Sequence, residues 1–142
     1  MPGRGARQEQ GRCAIRVSSG RDLQSRVLGD TASTGTGLYS SATFIALTEN
    51  ATAPADADTA LLGELTTGGF ARAQAAYAHT NGTATYTLTK TFTSADATTR
   101  TLQKIGVFNA ATAGTLMFET AIPSPPALVS GDQVALTEQV SI

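Results

Sequence analysis

The clearest pattern in the chain is an alternation of threonine with other residues over residues 83–93. Every odd position there is threonine, whereas the even positions carry Ala84, Tyr86, Leu88, Lys90 and Phe92. Successive side chains point to opposite faces of a β-strand, so this period of two predicts a strand with one exposed threonine face and one largely buried face. We expect Lys90 to extend its amine to the rim of the buried face.

A second pattern, over residues 104–119, predicts two strands joined by a short loop. Two apolar runs flank a connection of Asn, Ala, Thr and Gly, residue types that favour a reversal of chain direction. Four residues are expected in the core: Ile105, Phe108, Leu116 and Phe118. Gly106 lies inside the first run, where a missing side chain indicates a bulge or a close neighbour.

Further strand and turn signals run through the rest of the chain. Residues 43–48 and 133–142 carry β-branched and apolar residues typical of strands, and Asn81-Gly82 is a strong hairpin signal between strand-like runs. Short strands with regularly spaced turns predict an all-β fold, an antiparallel β-sandwich or small barrel (jelly-roll-like) of about seven or eight strands.

The first part of the chain differs in composition from the rest. Residues 1–37 are rich in Gly, Ser, Thr and Arg, and we interpret them as an extended basic N-terminal arm on a body of residues 38–142. One short helix is possible at residues 21–29, because Leu23 and Val27 are four apart and Gly29 suits a helix end.

Charge is distributed unevenly between the arm and the body. Residues 1–29 hold six arginines against two acids, a balance of +4, while the remainder holds four basic residues against nine acids, a balance of −5. The arginines are the predicted contact residues of the arm: Arg4, Arg7, Arg12, Arg16, Arg21 and Arg26. We expect them to dock on a protein surface, because no aromatic residues alternate with them as in many sites for single-stranded nucleic acid. Nucleic acid binding and a solvated tail are the alternatives.

The sequence offers little that could perform chemistry. His79 is the only histidine and Cys13 the only cysteine, so neither a histidine-based metal site nor a disulfide framework is expected. We predict no catalytic residues, no metal ligands and no cofactor, and therefore no enzyme. No apolar run reaches the about 18 residues of a membrane span, so membrane contact is not expected.

Several blocks of the body, taken in order, resemble a known family. They are residues 43–61, Glu64, Gly69-Phe70-Ala71-Arg72-Ala73, Lys104-Ile105-Gly106-Val107-Phe108-Asn109-Ala110, Gly114-Thr115-Leu116 and Ser130-Gly131-Asp132. This order is similar to that in small virion proteins of tailed bacteriophages, described as tail-fibre-like, head decoration or cement proteins. The resemblance covers residues 38–142 and implies a β-rich, non-enzymatic structural protein located in the virion.

Two positions in the virion fit this resemblance. The first is a capsid decoration or cement protein, which would form a homotrimer, bind the major capsid protein and bridge its neighbours through the arm. The second is a tail or neck component, such as an adaptor or a fibre-attachment module. The sequence favours the first, because the chain is short for a fibre and has no heptad or fibrous repeat. A carbohydrate-binding module is disfavoured by the absence of Trp.

Overall fold

The chain folds into three antiparallel β-sheets. A computed structural model describes residues 15–19 and 41–141. The strands in this part of the chain are β1 Ile15–Arg16, β2 Phe44–Thr48, β3 Ala73–Gln74, β4 Ala76–His79, β5 Thr85–Thr93, β6 Arg100–Thr101, β7 Lys104–Phe108, β8 Leu116–Ala121, β9 Ala127–Leu128 and β10 Gln133–Ser141. Sheet A has the order β1-β8-β7-β2-β3, sheet B has the order β10-β5-β4, and sheet C pairs β6 with β9.

Sheets A and B face each other across one hydrophobic core. Ile45 and Ile105 of sheet A belong to the same buried cluster as Leu88 and Leu136 of sheet B. Every strand pair is antiparallel. Within the described residues the sheets do not close into a barrel. The predicted all-β antiparallel fold is confirmed, and of its two alternatives the structure has the sandwich.

Sheet A is covered on both sides. All five residues of β7 are buried. Ile105 and Val107 face the core between the sheets, while a second cluster lies on the opposite side. That cluster consists of Val17, Ala46, Leu61, Phe108 and Leu116. A strand covered on both sides can carry a continuous apolar run, which explains why β7 lacks the alternation of β5. We call the side of sheet A that bears the second cluster its outer face.

A β-bulge in the β7–β8 pair distributes its apolar residues between the two sides. Val107 pairs with Phe118 and Phe108 pairs with Leu116, so Met117 is an extra residue on β8. All four residues predicted for the core of this hairpin are buried, and the bulge places Leu116 on the outer face and Phe118 between the sheets.

Gly106 lies where the outer face is most tightly packed. A Cβ atom there would lie 3.1 Å from Leu61 Cδ2 and 3.2 Å from Phe108 Cε2. Gly106 is therefore a close-packing site, as one of the two sequence interpretations has it, and the bulge follows between the next residues of β7.

The threonine strand predicted from the period-two pattern is β5. Leu88 and Phe92 are buried, whereas Thr89, Thr91 and Thr93 are exposed. The strand β10 pairs with β5 along its full length. Its Glu138, which interrupts the apolar side, is buried and accepts a 2.7 Å hydrogen bond from Thr120 Oγ1 of sheet A.

Residues 73–79, the strand-like run before the Asn81-Gly82 turn, are divided between the two sheets. The strand β3 pairs with β2 in sheet A, and β4 pairs with β5 in sheet B. Ala75, between them, is buried and donates its N–H to Thr43 O over 2.8 Å. The chain thus changes sheets at a residue small enough to be buried there.

Residues 15–19, within the predicted arm, lie against the body of the same chain. The strand β1 pairs with β8 at the edge of sheet A. The helix predicted at residues 21–29 lies outside the described residues, and the division of the chain at residue 37 stays a prediction.

Candidate functional site

Arg72 makes a paired contact with a carboxylate just before β3. Its side chain is mostly buried, with 10% exposed. Nε donates to Glu64 Oε1 over 2.8 Å, and Nη2 donates to Glu64 Oε2 over 2.6 Å. These two parallel hydrogen bonds use the planar fork of the guanidinium, a geometry that lysine cannot reproduce.

The same guanidinium holds the loop between β7 and β8. Nη1 donates to Ala110 O over 3.1 Å and to Ala113 O over 2.6 Å. Ala113 has a φ of 52°, in the left-handed region that favours glycine. Arg72 Cζ also lies 3.5 Å from the centroid of the Phe108 ring. We call Arg72, Glu64, Phe108 and the loop of residues 109–115 the Arg72 clamp, because it joins three separate segments.

A second group of charges is buried under the outer face. Lys104 Nζ lies 3.3 Å from Glu119 Oε2, and their side chains are 4% and 0% exposed. Asp58, from the loop after β2, contributes a further carboxylate beside Glu119. Asp58 Oδ2 accepts a 2.8 Å hydrogen bond from the N–H of Ala55, which fixes the turn that carries it. We call Lys104, Glu119 and Asp58 the buried ion cluster.

The buried ion cluster favours a proton on Glu119. Burial raises the pKa of Glu119, the Lys104 ammonium offsets part of this increase, and the negative charge of the nearby Asp58 raises the pKa again. Glu119 Oε1 has no hydrogen-bond partner among the described residues.

A third, more exposed network surrounds Arg100 at the start of β6. Arg100 lies 3.0 Å from Glu49 Oε2 and 2.7 Å from Asp96 Oδ2. Glu49 Oε1 also accepts a 2.8 Å hydrogen bond from the N–H of Thr101. The hydrogen bond from Arg100 lowers the pKa of Asp96, and the Asp96 and Glu49 carboxylates raise the pKa of Arg100.

These three networks use most of the basic residues of the body. Of its four cations, Arg72, Arg100 and Lys104 all pair with carboxylates of the same chain. Their positive charges are therefore paired within the chain, where they hold loops and strands together. The loop after β2 also contributes to these networks, because Asp58 lies beside Glu119.

The outer face also binds residues 15–19, which we call the 15–19 segment. Val17 is fully buried in the outer cluster. The Ser18 N–H donates to Asp56 O over 2.9 Å, and Ser19 Oγ donates to Leu116 O over 3.0 Å. Ile15 and Arg16 pair with β8 through the backbone. The edge of β8 and the outer cluster beside it, which together we call the outer-face groove, thus bind the strand β1 through its backbone and Val17 through its side chain.

The predicted contact arginines of the arm lie mostly outside this description. Arg4, Arg7, Arg12, Arg21 and Arg26 lie outside the described residues. Arg16 is described only through its backbone, which pairs with Phe118. Their assignment as contact residues stays a prediction.

Other surface groups show no shared site in the described part of the chain. His79 Nδ1 lies 2.9 Å from Thr85 O at the end of the β4–β5 hairpin. Tyr77 is 59% exposed and its ring lies 5.4 Å from that of Tyr86. Within residues 15–19 and 41–141, no three His, Cys, Asp or Glu side chains are grouped so that they could hold a metal ion. No helix in this part is long and apolar enough to cross a membrane.

Comparison with known proteins gives one family. The model of the family described as "Podophage GP4 fiber I protein gp80" matches residues 22–140, most of the chain. The chain belongs to this gp80 family. It is thus a bacteriophage virion structural protein, and its resemblance to tailed-phage virion proteins is confirmed. No curated protein and no solved structure matches the chain.

The sequence blocks that resemble the family supply residues to two of these networks, the Arg72 clamp and the buried ion cluster. Glu64, Arg72 and the loop after β7 form the Arg72 clamp, and Lys104 lies in the buried ion cluster. In this member of the gp80 family, those blocks stabilise the sandwich. The sequence predicted neither network, because the partners are 8 to 61 residues apart, from Arg72–Glu64 to Glu119–Asp58, and nothing in the local pattern links them.

Proposed function

We propose that this gp80-family chain is a non-catalytic structural component of the phage tail, serving as an adaptor or fibre-attachment module. The observation that carries the proposal is the family match, which spans residues 22–140 and whose description names a fibre protein. This description favours the tail, whereas the sequence alone favoured the capsid surface. Both positions lie in the virion.

The internal use of charge supports a structural rather than a catalytic role. Arg72, Arg100 and Lys104 are bound to carboxylates that hold the loops against the sheets. Such ion pairs fix conformation and leave these groups unavailable for proton or group transfer. A rigid sandwich of this kind suits a module that transmits force between larger parts of a virion.

The predicted partners follow from the arm and from symmetry. We propose that the arginines of the arm dock on an acidic surface of a neighbouring virion protein, and that copies of the chain associate, with a homotrimer as the expected state. If so, light scattering of the purified protein gives the mass of three chains. A monomer at all concentrations contradicts the trimer.

The number of copies per virion tests the position in the particle. Quantitative mass spectrometry of purified virions compares this chain with the major capsid protein and with a tail protein. The tail assignment predicts a low copy number set by the symmetry of the tail. A copy number that follows the capsid lattice supports the capsid decoration protein instead.

A further inference from the structure

The outer face of sheet A binds the 15–19 segment in the manner of an added strand. The strand β1 extends the sheet by pairing with β8, at Ile15 with Glu119 and at Arg16 with Phe118. Recognition of this type takes its affinity from main-chain hydrogen bonds and its specificity from a side-chain pocket. Here the pocket is formed by the other members of the outer cluster, and the side chain of Val17 is completely buried among them.

The pocket is shaped for a single small apolar side chain. Gly106 provides its floor without a side chain, and Leu61 and Leu116 lie close above it. Ser18 and Ser19, on the next positions of the segment, are held by Asp56 and Leu116 through hydrogen bonds of 2.9 and 3.0 Å. Contacts of this kind depend only on the five residues of the segment, whichever copy supplies them.

The connection from this segment to β2 is much longer than a return to the same body requires. Residues 20–40, which join Ser19 to Ser41, number 21. An extended chain of that length reaches about 70 Å, whereas a small domain is about 30 Å across. The same groove on a neighbouring copy is therefore within reach. Exchange between copies retains every contact of the segment, which is why swapping an identical element is a low-cost route to association.

The effective concentration of each groove decides whether the segment binds its own body or a neighbouring copy. A segment on a long connection sees its own groove at an effective concentration in roughly the millimolar range, and that value falls as the connection lengthens. If copies of the chain lie side by side in the virion, the groove of a neighbour competes with the chain's own groove. We propose that the 15–19 segment occupies the outer-face groove of a neighbouring copy of this chain in the assembled state. The proposal concerns how copies join and holds for either position in the virion.

An engineered disulfide reports which chain fills the groove. Ser18 Oγ lies 3.2 Å from Asp56 Oδ2, and both residues are exposed, so cysteines at these positions are within bonding reach. Two differently tagged full-length chains are co-expressed, one with Ser18→Cys and the other with Asp56→Cys, both also carrying Cys13→Ser. The matched control replaces the second chain by one with Thr91→Cys, which is exposed on sheet B.

In virions or concentrated protein, exchange predicts a mixed disulfide dimer of the two tagged chains on non-reducing gels. Its yield should exceed the control by about ten-fold or more, since docked thiols meet at a high effective concentration. A yield no greater than the control overturns the proposal, and the copy number of the chain per virion is unaffected by that outcome.

A single chain carrying both Ser18→Cys and Asp56→Cys provides the second measurement. In dilute solution we expect a disulfide within the chain, and in virions or concentrated protein we expect a ladder of chains linked to one another. Closed monomers under every condition would show that the segment stays on its own body. Failure to form any disulfide would show that the segment does not occupy the groove, which also overturns the proposal.

Discussion

Two glycines with nearly the same backbone conformation have different roles in the fold. Gly69 has a φ of 84° and Gly82 a φ of 85°. A Cβ added to Gly69 would lie 2.0 Å from the backbone oxygen of Thr93, whereas a Cβ added to Gly82 would meet nothing within 4 Å. Both positions need the freedom of glycine, but only Gly69 also needs its small size.

Alanine substitutions separate these two requirements. Gly82→Ala should lower the free energy of unfolding by about 1 kcal/mol, the cost of a left-handed conformation for an L-residue. Gly69→Ala should lose about 2 kcal/mol beyond that, because the backbone near Thr93 must shift. Urea denaturation of the two variants measures the difference. Equal losses would contradict the close packing at Gly69.

Glu119 makes stability depend on pH in an unusual direction. Its pKa in the folded protein is raised above the ordinary value of 4.5, so the folded protein holds this proton more tightly than the unfolded chain does. The resulting stabilisation is fully present below pH 4.5 and is lost as pH rises through the raised pKa. Glu119→Gln keeps the size of the side chain and removes this titration.

Thermal unfolding across a pH series tests that sign. The melting temperature of the wild type should fall relative to that of Glu119→Gln as pH rises above about 4.5. Asp96→Asn serves as a control of opposite sign, because the Arg100 contact lowers the pKa of Asp96 and its stabilisation is lost as pH falls. A constant difference between wild type and Glu119→Gln at every pH would contradict the raised pKa of Glu119.

At the scale of elements, the Arg72 clamp holds the β7–β8 hairpin to the segment before β3. The side chain of Arg72 is 10% exposed, whereas that of Arg100 is 30% exposed. Charge pairs gain strength as water is excluded, and removing one partner leaves the other buried without compensation. Arg72 and Arg100 therefore allow a buried ion pair to be compared with a more exposed one.

Alanine at these two positions should have unequal effects. Arg72→Ala is expected to cost about 3 kcal/mol of unfolding free energy, and Arg100→Ala about 1 kcal/mol or less. Hydrogen exchange in the Arg72 variant should also rise in residues 109–115, since Ala110 and Ala113 lose their donor. A loss for Arg72→Ala no larger than that for Arg100→Ala would contradict the clamp.

The sequence predicts elements well where pattern and burial agree. The strand β5 follows its period of two, and the core residues of the β7–β8 hairpin are found where the apolar runs place them. The division of residues 70–79 between two sheets could not be predicted. The chain changes sheets at a buried alanine, and no local sequence signal distinguishes that alanine from a residue inside a strand. The pairing of Arg72 with Glu64 and of Lys104 with Glu119 depends on tertiary contacts that carry no periodic signal.

At the scale of the whole molecule, the chain is a braced sandwich that presents different surfaces on its two sides. The outer side of sheet B carries the exposed threonines of β5, while sheet A is covered by the loop after β2 and by the 15–19 segment. Position in the virion is a property of the partners and not of the fold, which is why the pattern of the chain alone favoured the capsid and the family description favours the tail.

Direct labelling of the protein in virions tests the tail assignment. The Gly82 turn is exposed and a Cβ there would meet nothing within 4 Å, so a short peptide tag inserted between Asn81 and Gly82 should leave the sandwich intact. Tagged virions are labelled with gold-conjugated antibody and viewed by electron microscopy. A tail component gives gold at the tail and none over the head. Gold distributed over the capsid surface would contradict it.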